Sequence, residues 1–271
     1  MPDGYYATGA METIVVIPAR YGSTRFPGKP LTRIEGKSLI ERVWAIARVV
    51  PGVRRVLVAT DDERIASHVR DLGGEAVLTS PDCANGSERV HEAIRKIGAA
   101  TNTVVNLQGD AALMPPWVLG ALVEEMRRDP SVRIATPAAR LSKDQLERMA
   151  ATKSQGIVSG TTVTFDRKGD AMYFSKAIIP FSRTPPEGPW SPVYQHIGVY
   201  AYTMEALEQY VSLEPGRLEA VEQLEQLRAL EHGIPVRVVE VSLRGRTIWS
   251  VDNPQDVARC EEIIRSEGEL A

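Results

Sequence analysis

Residues 20–29 crowd cations and small polar groups together: Arg20, Ser23, Thr24, Arg25 and Lys29, with Gly22 and Gly28 between them. Glycines let a backbone come close to a ligand, and exposed N–H groups beside fixed cations form an anion site. A polyanion, most simply a nucleoside triphosphate, fits that set. The spacing is neither G-x-x-x-x-G-K-[ST] nor G-x-G-x-x-G, so on spacing alone a basic surface loop is the competing reading. Two acids stand far along the chain, Asp110 and Asp252, each between a strand-like run and a helix-like run. Carboxylates so placed can hold Mg2+, which takes oxygen ligands and also grips phosphate oxygens. Each alone also suits a helix cap, and Asp252, before Asn253-Pro254, a turn.

These residues need a frame. Ile14 to Ile17 is an unbroken β-branched run, the pattern of a strand buried on both faces, and Pro18 is expected to end it. Residues 37–50 carry Leu39, Ile40, Val43, Ile46 and Ala47 at helical spacing. Arg55 to Thr60 predicts a second strand, with Asp61 or Asp62 capping a helix marked by Ile65, Val69 and Leu72 and stopped at Gly73-Gly74. Glu75 to Thr79 predicts a third strand, Ser87 to Ile97 a helix, and Thr103 to Leu107 a fourth strand. Such alternation predicts an α/β fold, a doubly wound parallel sheet with its ligand beyond the carboxyl ends of the strands. Arg20 to Lys29, Thr60-Asp61, the 82–89 loop and Gln108-Gly109-Asp110 all fall at such ends.

The middle of the chain reads differently. Val132 to Pro137 predicts a strand, and 158–165 with 171–174 predicts a hairpin around Asp166-Arg167-Lys168-Gly169. Pro180, Pro185, Pro186, Pro189 and Pro192 mark an irregular loop, and His196 to Tyr202 is strand-like. Residues 132–210 are therefore expected to be an antiparallel insertion, a common place for acceptor specificity or dimer contacts, within a single domain of residues 13–271. Leu218 to His232 predicts one helix, its Glu219, Glu222, Glu225 and Gln226 forming a solvated face. Val236 to Val241 predicts a strand, and a final helix follows Ser250 to Asp256.

Hydrophobic content of 43%, charged content of 25% and a net charge of −3 over 271 residues are ordinary for a globular protein. They imply no general affinity for nucleic acid or acidic membranes, so a polyanion must be held by a local cluster. Cys83 and Cys260 suggest neither a metal site nor a disulfide framework, and Cys83 reads as a small apolar filler. With no signal-peptide pattern and no apolar run near 18 residues, a cytoplasmic protein is expected. Residues 1–12 are expected to be a flexible tail.

Residues 14–31 closely resemble the opening of the CMP-Kdo synthetases (3-deoxy-manno-octulosonate cytidylyltransferases). The likeness continues in order through Val-Ala-Thr-Asp (58–61), Asn-Gly-Ser-Glu-Arg (85–89), Val-Asn-Leu-Gln-Gly-Asp (105–110) and Tyr-Phe-Ser-Lys (173–176). It returns in His-Ile-Gly-Val-Tyr (196–200), Leu-Glu-Gln-Leu-Arg (224–228) and Val-Asp-Asn-Pro-Gln-Asp (251–256). The resemblance implies a Rossmann-like nucleotidyltransferase core, usually a homodimer, and Mg2+-dependent transfer of CMP from CTP to an acidic acceptor. It assigns Arg20, Ser23 and Lys29 to the triphosphate. Pro18, Ala19, Thr60, Ser87 and Arg89 go to cytidine, and Asp110 and Asp252 to metal. Gln108, Lys176, His196, Tyr200, Glu225 and Gln226 go to the acceptor.

The departures fall on the acceptor side. The family usually continues Gln-Gly-Asp with Glu-Pro, where this chain has Ala111-Ala112, and usually has Arg where Lys176 stands. Arg grips a carboxylate bidentately and Lys cannot. A family lysine falls at Thr162. Kdo is the family's acceptor, and a small phosphonate such as phosphonoformate is the alternative these changes suggest. A non-catalytic CTP-binding protein is a remoter reading, opposed by Lys29, Asp110 and Asp252 together. A nucleotide-sugar glycosyltransferase would want an Asp-x-Asp motif that Gln108-Gly109-Asp110-Ala111-Ala112 lacks.

Overall fold

The computed structural model describes residues 12–23, 25–157, 160–184 and 187–271. Thr24, the start of the expected 158–165 strand, Pro185 and Pro186 lie outside the described residues. So does the expected tail apart from Glu12, whose carbonyl accepts the Thr101 hydroxyl at 2.7 Å and whose carboxylate pairs with Arg54 at 2.8 Å.

The first half alternates as its apolar periodicity predicts. It runs β1 (Thr13–Ala19), a short 3-10 turn (Lys29–Leu31), a small ribbon of β2 (Arg33–Ile34) and β3 (Lys37–Ser38), then α1 (Leu39–Arg48). It continues with β4 (Val53–Thr60), α2 (Glu63–Asp71), β5 (Glu75–Leu78), α3 (Gly86–Ile97), β6 (Thr103–Leu107) and α4 (Pro116–Arg128). The second half comprises β7 (Ile134–Ser142), α5 (Lys143–Ser154), β8 (Thr161–Phe165), β9 (Ala171–Ser175), β10 (Trp190–His196) and β11 (Val199–Thr203). It ends with α6 (Met204–Val211), α7 (Arg217–Glu222), α8 (Leu227–Glu231), β12 (Arg237–Val241) and α9 (Gln255–Glu267). Among the described residues no helix is long and apolar enough to cross a membrane.

Strands β5, β4, β1 and β6 pair in parallel, and the same sheet then turns antiparallel through β11, β7, β10, β8 and β9, with β12 parallel to β7. β1 is buried along its whole length, and its Ile14 and Val16 face one core layer while Val15 and Ile17 face the other. That split is the physical content of its unbroken apolar run.

Pro18 does not end β1. It pairs with Ala59 and Ala19 pairs with Thr60, although the ladder to β6 has already stopped at Val16. The helix predicted from residue 37 begins at Leu39, where Ser38 and Glu41 form a reciprocal capping box. Helices α4 and α5, absent from the sequence reading, start at Pro116 and behind a Ser142–Gln145 capping box. The run from His196 to Tyr202 is not one strand, since His196 closes β10 and Tyr200 lies in β11.

The helix expected over 218–232 is broken. Gln223 takes a left-handed conformation (φ 55°) that ends α7, and α8 begins four residues on at Leu227. The segment between them turns Gln226 inward, at 5% exposure. The expected solvated face is therefore absent. Glu219 clasps Arg228 with bonds of 2.7 and 2.8 Å, and Glu222 accepts the Ser175 hydroxyl at 2.7 Å and the Lys176 N–H at 2.8 Å.

At the carboxyl end of the parallel strands β6 and β1 nearly touch. A Cβ on Gly109 would lie 2.7 Å from the Pro18 carbonyl oxygen, closer than side chains tolerate. Gly109→Ala is expected to cost about 1–3 kcal/mol, measured as a lower urea midpoint. Gly22→Ala, whose Cβ would meet nothing within 4 Å among the described residues, is expected to stay within about 0.5 kcal/mol of the parent.

Candidate active site

The loop after β1 is folded by its own backbone. The Tyr21 carbonyl accepts N–H bonds from Ser23 (2.9 Å) and Gly28 (3.0 Å), and the Ser23 hydroxyl accepts the Phe26 N–H at 3.3 Å. Gly28 sits at φ 73°, where a side chain would be strained, with the Tyr21 ring against it. The Arg64 guanidinium lies 3.3 Å over the other partner of this contact, the Tyr21 ring centroid. This fold delivers Lys29 to the strand ends. Its Nζ donates to Asp110 Oδ2 at 3.0 Å and to the Val251 carbonyl at 2.8 Å. The Val251 N–H in turn donates to the Asp110 carbonyl at 3.1 Å. Next along the chain, Asp252 pairs with Arg25 at 3.2 Å near the surface. Lys29, Asp110 and Asp252 are thus gathered at one edge by contacts that span 81 to 227 residues of sequence. Arg20 is exposed and makes no ion pair among the described residues.

Beside this edge lies a buried polar patch. Thr60 is fully buried and its Oγ1 accepts the Asp62 N–H at 3.3 Å. Asp62, rather than Asp61, caps α2. Asp61 binds Arg89 at 3.1 Å, and Arg89 also donates to the Thr79 hydroxyl at 2.6 Å. The other Asp61 oxygen is buried without a partner among the described residues. Asn85 caps α3 and brings Ser87 under the sheet edge. There Gln108 Nε2 donates to Asn106 Oδ1 (3.1 Å), and Asn106 Nδ2 donates to Ser87 Oγ (3.2 Å). Pro18 lines the same corner, since a Cβ on Gly86 would stand 3.2 Å from Gln108 and 3.3 Å from Pro18.

The antiparallel half supplies a second, aromatic patch. Phe174, His196, Tyr200, Tyr202 and Tyr210 follow one another with ring centroids 5.0–6.0 Å apart. Tyr200 pairs with Asn106 across β11 and β6, so this patch adjoins the polar one. Burial, with some help from the nearby Lys176 charge, pushes the His196 imidazole down to about 3. Burial pushes the Glu225 carboxyl up, against the pull of Arg228. Gln226 Nε2 is buried without a partner among the described residues. Lys176 donates to the Thr161 hydroxyl at 3.2 Å, and Lys153 Nζ donates to the Gly160 and Lys176 carbonyls at 2.9 and 2.6 Å.

Residues absent from the sequence reading complete these contacts. Asn106 was visible as the one amide inside an apolar strand, a signal of a buried network. The Val251 carbonyl, Asp61 as the partner of Arg89, Thr136, whose hydroxyl lies 2.8 Å from His196 Nε2, and Lys153 left no comparable signal. Cys83 is not an apolar filler. Its thiol donates to Glu92 at 3.1 Å, and desolvation together with that carboxylate pushes it up to about 11. Among the described residues no three His, Cys, Asp or Glu side chains cluster as a metal site.

A parallel sheet whose strand ends carry a cation-rich glycine loop, with two aspartates each bonded to one of its cations, defines a nucleotide-handling transferase. The pattern of the cytidylyltransferase family matches residues 14–240, and the chain belongs to that family. A 3-deoxy-manno-octulosonate cytidylyltransferase of Maricaulis maris is 57% identical over 96% of this chain and all of its own length. An 8-amino-3,8-dideoxy-manno-octulosonate cytidylyltransferase of a Shewanella species is 41% identical over 93% of this chain and 98% of its own. The solved structure of a CMP:2-keto-3-deoxy-manno-octonic acid synthetase complexed with CTP superposes with a TM-score of 0.83, at 34% identity, covering 94% of this chain and 99% of that one. These relatives favour an octulosonate over the phosphonate considered from sequence.

The buried His196 makes stability pH-dependent. Folded, the imidazole takes its proton only near pH 3; unfolded, it does so near 6.5. Between these values the unfolded chain holds more protons, so stability is lost as pH is lowered, by at most about 1.4 kcal/mol per unit. His196→Gln removes this titration. Urea melts from pH 6.5 down to about pH 4 are expected to show the parent losing stability faster than the variant; parallel losses would contradict the buried neutral ring.

Proposed function

We propose that the protein transfers CMP from CTP to 3-deoxy-manno-octulosonate, releasing diphosphate, with Mg2+ as cofactor. The names of the relatives support the acceptor, and the CTP complex of the neighbour supports the donor. The observation that carries the reading is the Lys29 ammonium held between Asp110 and the Val251 carbonyl at the strand ends.

In this reading an acceptor oxygen attacks the α-phosphorus in line and diphosphate leaves. Negative charge gathers on non-bridging oxygens, and Lys29 and Arg20 are the chain's cations that stabilise it. Ser23 and the loop N–H groups orient the triphosphate. Arg89, Ser87, Thr60 and the backbone of Pro18 and Ala19 hold the cytidine. Gln108, Lys176, His196, Tyr200, Glu225 and Gln226 face the acceptor, and Lys176 supplies a point charge for its carboxylate. Asp110 and Asp252 suit a Mg2+ ion, since it takes one or two carboxylates and draws its remaining ligands from phosphate and water. When bound it neutralises phosphate charge. Lys29 and Arg25, which pair with these carboxylates here, keep the two acids compatible at one edge.

Residues 132–210 would form the acceptor and dimer region of one domain spanning residues 13–271, in a cytoplasmic homodimer. Large apolar side chains exposed there or nearby support the dimer: Met172, Phe181, Trp190 and Val221 are all at least half exposed, and β9 is the outer strand of the sheet. Sedimentation analysis is expected to give twice the chain mass, reduced toward one mass by Phe181→Glu; a monomeric parent would contradict the assembly.

Purified protein with CTP and Mg2+ is expected to release diphosphate with 3-deoxy-manno-octulosonate and not with phosphonoformate. Lys29→Ala is expected to lower kcat about 100-fold or more while the circular dichroism spectrum is kept. Asp110→Ala and Asp252→Ala are expected to abolish metal-dependent turnover. Unchanged kcat in Lys29→Ala would refute the assignment.

A further inference from the structure

Thr136 is fully buried in β7, and its hydroxyl touches His196, whose ring nitrogens donate or accept according to the tautomer. His196 Nε2 lies 2.8 Å from Thr136 Oγ1. The same hydroxyl lies 2.9 Å from the Val199 carbonyl. A threonine hydroxyl has one proton to give and lone pairs to receive. The Val199 carbonyl can only accept, so the hydroxyl proton goes there. The nearby Ile197 carbonyl, at 3.4 Å, is already served by the Val199 N–H at 2.7 Å. The oxygen is then free only to accept, and His196 Nε2 must carry the proton that fills it. Buried between Phe174 and Tyr200, the ring stays neutral. Its Nδ1 is therefore an unprotonated acceptor, and it makes no hydrogen bond among the described residues.

We infer that Thr136 is a positioning residue: by fixing His196 in the Nε2–H tautomer it makes the ring an acceptor at Nδ1, which selects a neutral hydroxyl of the sugar acid and turns away its carboxylate. This deepens, and rests on, the acceptor reading proposed above. A lone pair at Nδ1 receives an O–H and repels an anionic oxygen, so the carboxylate is left to the Lys176 ammonium. The two groups sort the acceptor's ends by donor and acceptor character. Thr136 touches no substrate in this scheme and acts through the ring.

The test has a readout that needs no substrate. Long-range proton–nitrogen spectra of the histidine-labelled full chain, with the His196 signal identified by its loss in His196→Gln, are expected to show a protonated Nε2 and a bare Nδ1 near neutral pH. Thr136→Val keeps the shape and removes the hydroxyl. It is expected to mix or reverse the tautomer and to raise KM for 3-deoxy-manno-octulosonate about tenfold, with KM for CTP within about twofold. Thr136→Ser, which restores the hydroxyl and covers the case in which valine fails to fold, is expected to recover both the tautomer and the KM.

A proton on Nδ1 in the parent overturns the inference. So does a raised KM in Thr136→Val with the parent tautomer unchanged, which would mean packing alone. An unchanged KM beside an altered tautomer overturns it equally. If the parent shows no turnover with this acid, the acceptor reading fails first, and the spectra still decide the tautomer.

Discussion

Lys29 holds together three places where the chain leaves its sheet. Its ammonium spans the acid after β6 and the carbonyl before α9, and the loop that carries it begins at the end of β1. Such a charge in a half-buried position needs partners in fixed places. Its partners are fixed by the strand ends themselves and by the backbone bond from Val251 to Asp110. The approach of Gly109 to the Pro18 carbonyl belongs to the same constraint, since any side chain there would separate β6 from β1 and pull Asp110 away from the ammonium.

The parallel half was legible in the sequence because its signals are local. Ile14 to Ile17 reads as a doubly buried strand, and α2 and α3 carry clean apolar stripes with Asp62 and Asn85 as caps. The segment 218–232 misled for the same reason. Its leucines recur at helical spacing, yet tertiary demands at Glu225 and Gln226 break it at Gln223, and a single left-handed residue leaves no trace in periodicity. Pro18 misled in the opposite sense, because a proline is tolerated at a strand's end where one neighbouring strand has already left.

The site was legible in part and for a comparable reason. Residue types at the strand ends marked where a polyanion could rest. Contacts carried by backbone carbonyls, such as Val251 with Lys29 or Gly160 with Lys153, are not written in side-chain identity. Nor are the uses of ordinary hydroxyls. Thr136 and Ser87 are unremarkable letters in their strands and helices, and their value comes from the partners their hydroxyls meet. The residues proposed to face the acceptor, and their neighbours, depend most on such contacts. Thr162, for instance, turns its hydroxyl to the Ala177 carbonyl at 2.7 Å.

Strand β6 has a mechanical consequence. Asn106 pairs with Val16 on one side and with Tyr200 on the other, so the parallel half and the antiparallel half are two stretches of a single hydrogen-bonded plane. Two halves joined in this way cannot swing like jaws without tearing a ladder. Any shielding of the reacting centre from water must come from the loops above the seam, and the seam itself serves as an anvil of constant span.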